Sequence, residues 1–296
     1  MTFLTVLLTA MAIGILVLAA LILLPFLGGF LLVRALEILA PLCLTVWFLA
    51  HGRKHAPGWE KFQGIRFAHR GLHGPGVPEN SLAAFRQAAE AGYGVELDVH
   101  LTKDGYLAVI HDSDLTRMCG RSGTVEELTA AELGTYRLTG SGERIPFLEQ
   151  VLPIFEGKRP LIVELKTAGG NHAALAAAAM ECLDRFQADY CVESFDPRCL
   201  LWLQKHRPEI LRGQLAQGSR QWKTALWPLS GVCTRPDFIA YRIEDRKGPA
   251  VLLLRCLGFH LVWWTIRTQK DLDWAEDCGD IGIFENFVPE RREGEA

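Results

Sequence analysis

Residues 67–112 read FAHRGLHGPGVPENSLAAFRQAAEAGYGVELDVHLTKDGYLAVIHD, and the alternation of patterns inside them decides the fold. An apolar strand-like run, 65–68, ends at His69. A helical stretch, 81–92, follows, with Leu82, Phe85 and Ala89 on one face, Asn80 as a suitable N-cap and Gly92 as a stop. Two further apolar runs, 95–99 and 107–110, read as strands.

The same alternation continues to the carboxyl end. Strand-like runs fall at 161–165, 190–192, 211–215, 238–241, 261–266 and 281–284, and the alanine-rich segment 173–186 is a strong helix former. Alternating β and α over about 240 residues predicts an α/β fold with a parallel sheet, most simply a (β/α)₈ barrel. Nine strand-like runs compete for eight places, and 211–215 or 238–241 is the expected misfit.

In such a barrel the carboxyl ends of the strands converge on one mouth. His69 ends the first run and His111 the third, with Glu96 and Asp98 two apart on the second, so period two aims both acids at one face. Glu164 and Lys166 stand two apart at the end of the fourth run, and Ser194 closes the fifth. Three inward carboxylates repel one another unless a cation neutralises them, and oxygen ligation suits a hard ion, Mg²⁺ or Ca²⁺. With Arg70 and Lys166 to gather phosphate oxygens and two imidazoles to exchange protons, the set is equipped to cut a phosphodiester.

Taken singly, each feature has a plainer reading. A strand-end histidine can be structural, Lys166 can pair with Glu164, and Pro78-Glu79-Asn80-Ser81 can do little more than start a helix. Their joint occurrence at successive strand ends favours the catalytic reading.

Extended with residues 113–117 to end in SDLTR, the opening stretch resembles the glycerophosphodiester phosphodiesterase family. GTVEELTAAEL, IPFLEQVL, VELK, VESFD and WWTI match as well, and the similarity runs from about residue 65 to 289. The resemblance implies a distorted TIM (β/α)₈ barrel of the phospholipase C-like phosphodiesterase type that hydrolyses glycerophosphodiesters to sn-glycerol 3-phosphate and an alcohol. It implies His69 as proton acceptor, His111 as proton donor, Glu96, Asp98 and Glu164 as metal ligands, Arg70 and Lys166 on phosphate, and Trp264 as an aromatic wall. Three places depart from the family pattern. Met118-Cys119 replaces two threonines, Trp264-Thr265-Ile266-Arg267 replaces Trp-Thr-Val-Asn, and Glu285-Asn286 replaces Thr-Asp. Lysophospholipase D-type action on lysophospholipids is the alternative activity, and a non-catalytic membrane-tethered binding module the alternative class.

The 296 residues carry a net charge of −3, which gives no electrostatic footprint for nucleic acid. Residues 3–24 hold no charged side chain and are long enough to cross a hydrocarbon core of about 30 Å. A second apolar run, 30–50, carries Arg34 and Glu37 on one helix face. No basic segment precedes the first run and no small-x-small site follows it, so a membrane anchor is expected over 1–50, as a two-helix hairpin, rather than a signal peptide. A juxtamembrane linker, 51–62, and a barrel domain, 63–296, would follow. His51, Arg53, Lys54, Lys61 and Arg66 place the catalytic domain on the cytoplasmic face, with Trp59 and Phe62 near the lipid interface. The eight cysteines show no metal-type spacing, in keeping with a reducing compartment, and Cys119 is expected to pack rather than react. No protein partner is evident.

Overall fold

The computed structural model describes residues 56–218 and 233–290, with residues 13–15, 37, 39, 40 and 43 as isolated positions before them. Apart from those isolated positions, the expected hairpin over 1–50 lies outside the described residues, as does the segment 219–232. Among the residues described, no helix is long and apolar enough to cross a membrane.

Eight strands close a parallel barrel: β1 (Phe67–His69), β2 (Gly94–Leu101), β4 (Leu161–Leu165), β5 (Tyr190–Ser194), β6 (Arg212–Ala216), β7 (Phe238–Arg242), β8 (His260–Ile266) and β9 (Ile281–Phe284). They follow one another around the ring in that order, and the β1–β2 pairing completes it. These strands are buried on both faces, so they read as apolar runs rather than as alternating ones.

The misfit among the nine runs is not the one expected. Residues 211–215 and 238–241 both belong to barrel strands. The outlier is β3 (Leu107–Val109), which pairs antiparallel to β2 as a hairpin. Thr102-Lys103-Asp104-Gly105 makes its turn. Thr102 Oγ1 donates to Asp104 Oδ1 at 2.7 Å and accepts from Tyr106 N at 2.8 Å, and Gly105 takes φ +90°. A hairpin strand looks like a barrel strand to any pattern of apolar residues.

Outside the ring, helices α1 (Leu82–Glu90), α4 (Leu148–Phe155), α5 (His172–Leu183) and α6 (Pro197–His206) bury Phe85, Leu152, Ala176 and Leu200 against Val95, Leu97 and Val163. Two short helices, α2 (Thr116–Cys119) and α3 (Ala130–Leu133), lie in the insertion after β3, which packs its own small core around Leu115, Val125 and Leu133. Cys119 is packed against that core. Helices α7 (Pro249–Cys256) and α8 (Gln269–Asp277) link the last three strands.

Inside the ring, the floor is apolar. Phe67, Ile162, Cys191, Phe238 and Ile281 meet Ala56, Trp59 and Phe62, which plug the barrel from below. Trp59 lies 5.4 Å from the Phe238 ring and is 5% exposed; Phe62 is 2% exposed. The expectation that these two rings sit at a lipid interface is therefore corrected: their apolar area is already covered by the barrel. Gly213 makes room for this filling, because a Cβ there would fall 2.1 Å from the Phe238 ring.

Candidate active site

Three strand ends bring the acids together. Parallel pairing sets Asp98 level with Glu164, and Glu164 level with Glu193. Glu96, Asp98 and Glu164 are buried, each offering a carboxylate oxygen within 4.8 Å of the others. His69, level with Glu96 on β1, holds Nε2 3.8 Å from Glu96 Oε2. His111 reaches the same cavity from the hairpin rather than from a barrel strand, which corrects its expected placement. The cavity, of about 270 Å³, is lined by His69, Arg70, Glu96, His111, Glu164, Lys166 and Trp264, so all eight expected site residues except the fully buried Asp98 line it.

The His69-Arg70-Gly71 turn explains its own composition. Arg70 takes φ +55° and Gly71 φ +83°, and a side chain at Gly71 would run into Ala84 at 2.9 Å. This turn aims the Arg70 amide at Glu96 Oε2, 3.2 Å away, and lays its guanidinium against Asp98 and Glu79, at 3.3 and 2.8 Å. Pro78-Glu79-Asn80-Ser81 does more than begin a helix. Ser81, not Asn80, is the N-cap of α1, accepting from Ala84 N. Asn80 instead stands at φ +54° and donates Nδ2 to Asp98 Oδ2 at 2.9 Å, while Glu79 bridges Arg70 and Arg117.

Charge is crowded here. Lys166 Nζ lies 3.0 Å from Asp98 Oδ1 and 2.7 Å from Glu164 Oε1. Burial would push Asp98 up, but Lys166 and Arg70 outweigh it and hold the carboxyl well below its usual range. Glu164 has the weaker share of that help, so burial and the adjacent Asp98 push it up to about 7. Glu96 is driven well up by burial and by the charges of Asp98 and Glu164. His111 Nδ1 meets Asp112 Oδ1 at 2.7 Å, and Asp112 also binds Arg117. Burial lowers the His111 pKa. His69 Nδ1 meets Glu285 Oε2 at 2.9 Å.

Two site residues escaped the reading of the sequence. Ser194 was expected at the mouth, but its side chain is buried and donates to Leu165 O at 2.8 Å. Its neighbour Glu193 lines the cavity instead, 1% exposed, with Oε2 lacking a hydrogen-bond partner among the described residues. The signal was the level pairing with Glu164, which no single strand displays. Glu285 was visible only as a departure from the family pattern. Trp264 donates Nε1 to Ala240 O at 3.0 Å and stands edge-on to Phe195, their centroids 5.7 Å apart, which makes the aromatic side of the cavity.

The glycerophosphoryl diester phosphodiesterase family model matches residues 69–290, well over half of the chain and all of the site just described. The chain belongs to that family. As a member it is a phosphoric diester hydrolase, a glycerophosphodiester phosphodiesterase. It is 37% identical over 248 residues to a glycerophosphodiester phosphodiesterase of Bacillus altitudinis, an alignment covering 76% of this chain and 95% of the relative. A second relative of that description, from Caldanaerobacter subterraneus subsp. tengcongensis, is 34% identical over 229 residues, covering 73% and 91%. Among solved structures, an Oleispira antarctica phosphodiesterase in complex with the product sn-glycerol-3-phosphate superposes with TM-score 0.66. It is 24% identical and covers 76% of this chain and 94% of that one, a likeness that speaks for the fold alone.

Proposed function

We propose that the chain hydrolyses glycerophosphodiesters to sn-glycerol 3-phosphate and an alcohol with a divalent cation, Mg²⁺ or Ca²⁺, in the mouth of its barrel. The observation that carries this reading is the buried trio of Glu96, Asp98 and Glu164, whose ligand atoms lie within 4.8 Å of one another beside two imidazoles and two permanent cations. The donor set fits a hard ion, being all oxygen. Burial and mutual repulsion push Glu96 and Glu164 up in the metal-free site, and a bound divalent ion would let the trio ionise together. When bound, the ion would supply Lewis-acid stabilisation of the charge that grows on the phosphate oxygens.

The remaining work falls to side chains. Arg70 and Lys166 attract the non-bridging oxygens and orient the phosphorus. His69 takes a proton from the attacking hydroxyl, either water or the substrate's own glycerol hydroxyl. His111 gives one to the leaving alkoxide. Trp264 and Phe195 offer an apolar wall for glycerol or alcohol carbons. The Bacillus altitudinis and Caldanaerobacter relatives, both glycerophosphodiester phosphodiesterases, support this assignment. The uncharged first run of the chain supports action at a membrane surface, and Arg53 and Lys54 after the second run support a cytoplasmic barrel.

The full chain in detergent should release sn-glycerol 3-phosphate from sn-glycero-3-phosphocholine. A chelator should stop it, and added Mg²⁺ or Ca²⁺ should restore it. Replacing His69 by Ala should lower turnover by about 10²–10⁴-fold. Turnover indifferent to chelation would overturn the metal assignment, and release of lysophosphatidic acid from lysophosphatidylcholine in preference would move the substrate to lysophospholipids.

A further inference from the structure

Arg267, Glu285 and Asn286, three positions that depart from the family pattern at the end of β8 and after β9, form one cluster around a single carboxylate. Glu285 Oε2 lies 2.9 Å from His69 Nδ1 and accepts from an Arg267 Nη at 3.3 Å, while Oε1 accepts from Asn286 Nδ2 at 3.1 Å. The backbone fixes the group as well. Glu285 N donates to Ile266 O at 2.9 Å, and Asn286 stands at φ +65°, a conformation asparagine tolerates better than most residues.

We infer that Glu285 is a positioning residue for His69. It accepts from Nδ1–H and so fixes the tautomer in which Nε2, the nitrogen nearer the carboxylate trio, keeps a lone pair. The inference rests on His69 being the proton acceptor. An ionised carboxylate can only accept, so the ring nitrogen facing it must carry the hydrogen, and the other nitrogen is then left basic. The hydrogen bond from His69 is the chief reason the Glu285 carboxyl is pulled down to about 2, so it is ionised at neutral pH. Arg267 has no acceptor atom, so it demands oxygen at the position it shares with the ring, whereas Asn286 can turn its amide to meet either a donor or an acceptor. The opposite tautomer would put the hydrogen on Nε2 and remove the base, the failure known when the carboxylate of a serine-protease triad becomes an amide.

This differs from a packing role in ways that can be measured. Nitrogen-15 spectra of the metal-free full chain should show Nδ1–H on His69 in the wild type. Glu285→Leu should shift His69 toward Nε2–H and lower kcat on sn-glycero-3-phosphocholine by about 10–100-fold, with a far smaller change in KM. Glu285→Gln should keep Nδ1–H, because Arg267 forces the amide oxygen toward the ring, and should recover most of the lost rate. Nδ1–H retained in the Leu variant, or a Gln variant as impaired as Leu, overturns the assignment. The spectra report on the tautomer whether or not His69 is the base, whereas full turnover by His69→Ala would reject the underlying reading alone.

Discussion

The floor and the mouth of the barrel are built by the same strands two residues apart, yet they obey opposite rules. On β1 the floor residue is Phe67 and the mouth residue His69; on β4 they are Ile162 and Glu164; on β5, Cys191 and Glu193. After β9, Ile283 is followed two positions on by Glu285. Every floor side chain buries apolar area against aromatic rings and lowers the free energy of folding. Glu96, Glu164 and Glu193 at the mouth do the reverse, because burial among like charges raises it, whereas the cations beside Asp98 and the imidazole beside Glu285 offset the cost there. The floor holds strands in register so that groups which would otherwise separate stay in contact, and stability is concentrated at one end while reactivity sits at the other.

Three perturbations would break or sharpen that contrast. Trp59→Ala should cost about 3–5 kcal/mol of folding free energy in denaturant titrations and leave kcat per folded molecule unchanged. A fall in kcat matching the fall in stability would mean the two ends are not separable. Glu164→Gln should act the other way. Turnover should drop by about 10²–10³-fold while the metal-free protein unfolds at a higher temperature, since a repelling carboxylate has gone. Lower stability in this variant would show that the Lys166 pair outweighs the crowding.

The smallest effect is a pH dependence. Glu164 has its folded pKa raised to about 7, against 4.5 for the ordinary carboxyl. Below 4.5 both states hold the proton and the group contributes nothing. As pH rises from 4.5 through 7 the unfolded chain releases its proton first, so the folded state loses stability. The metal-free wild type should therefore gain melting temperature relative to Glu164→Gln on acidification from pH 7 to 5. Reference to that variant cancels the opposing contribution of His111, whose buried neutral ring resists protonation. Saturation with cation should abolish the difference.

Most of the site was legible because its residues announce themselves in short spans. His69-Arg70-Gly71, Glu96-x-Asp98 and Glu164-x-Lys166 each place chemistry at a strand end by period alone, and the structure assembles them in one cavity. Three things were hidden. The β3 hairpin has the same apolar composition as a barrel strand, so its direction could not be read. Ser194 and Glu193 are adjacent, and only the pairing of β5 with β4 decides which one faces inward. Trp59 and Phe62 look equally suited to lipid or to a barrel floor until the floor exists.

The order of strands and helices, the identity of the acids and imidazoles, and the family were determined by the sequence alone, because local periodicity and short motifs need no partner to be recognised. Tertiary structure decided which strand stands outside the ring, which carboxyls share a cavity, and that Glu285 reaches a histidine 216 positions away. Those outcomes depend on closing the barrel, which brings β9 beside β1 and makes neighbours of residues at opposite ends of the domain.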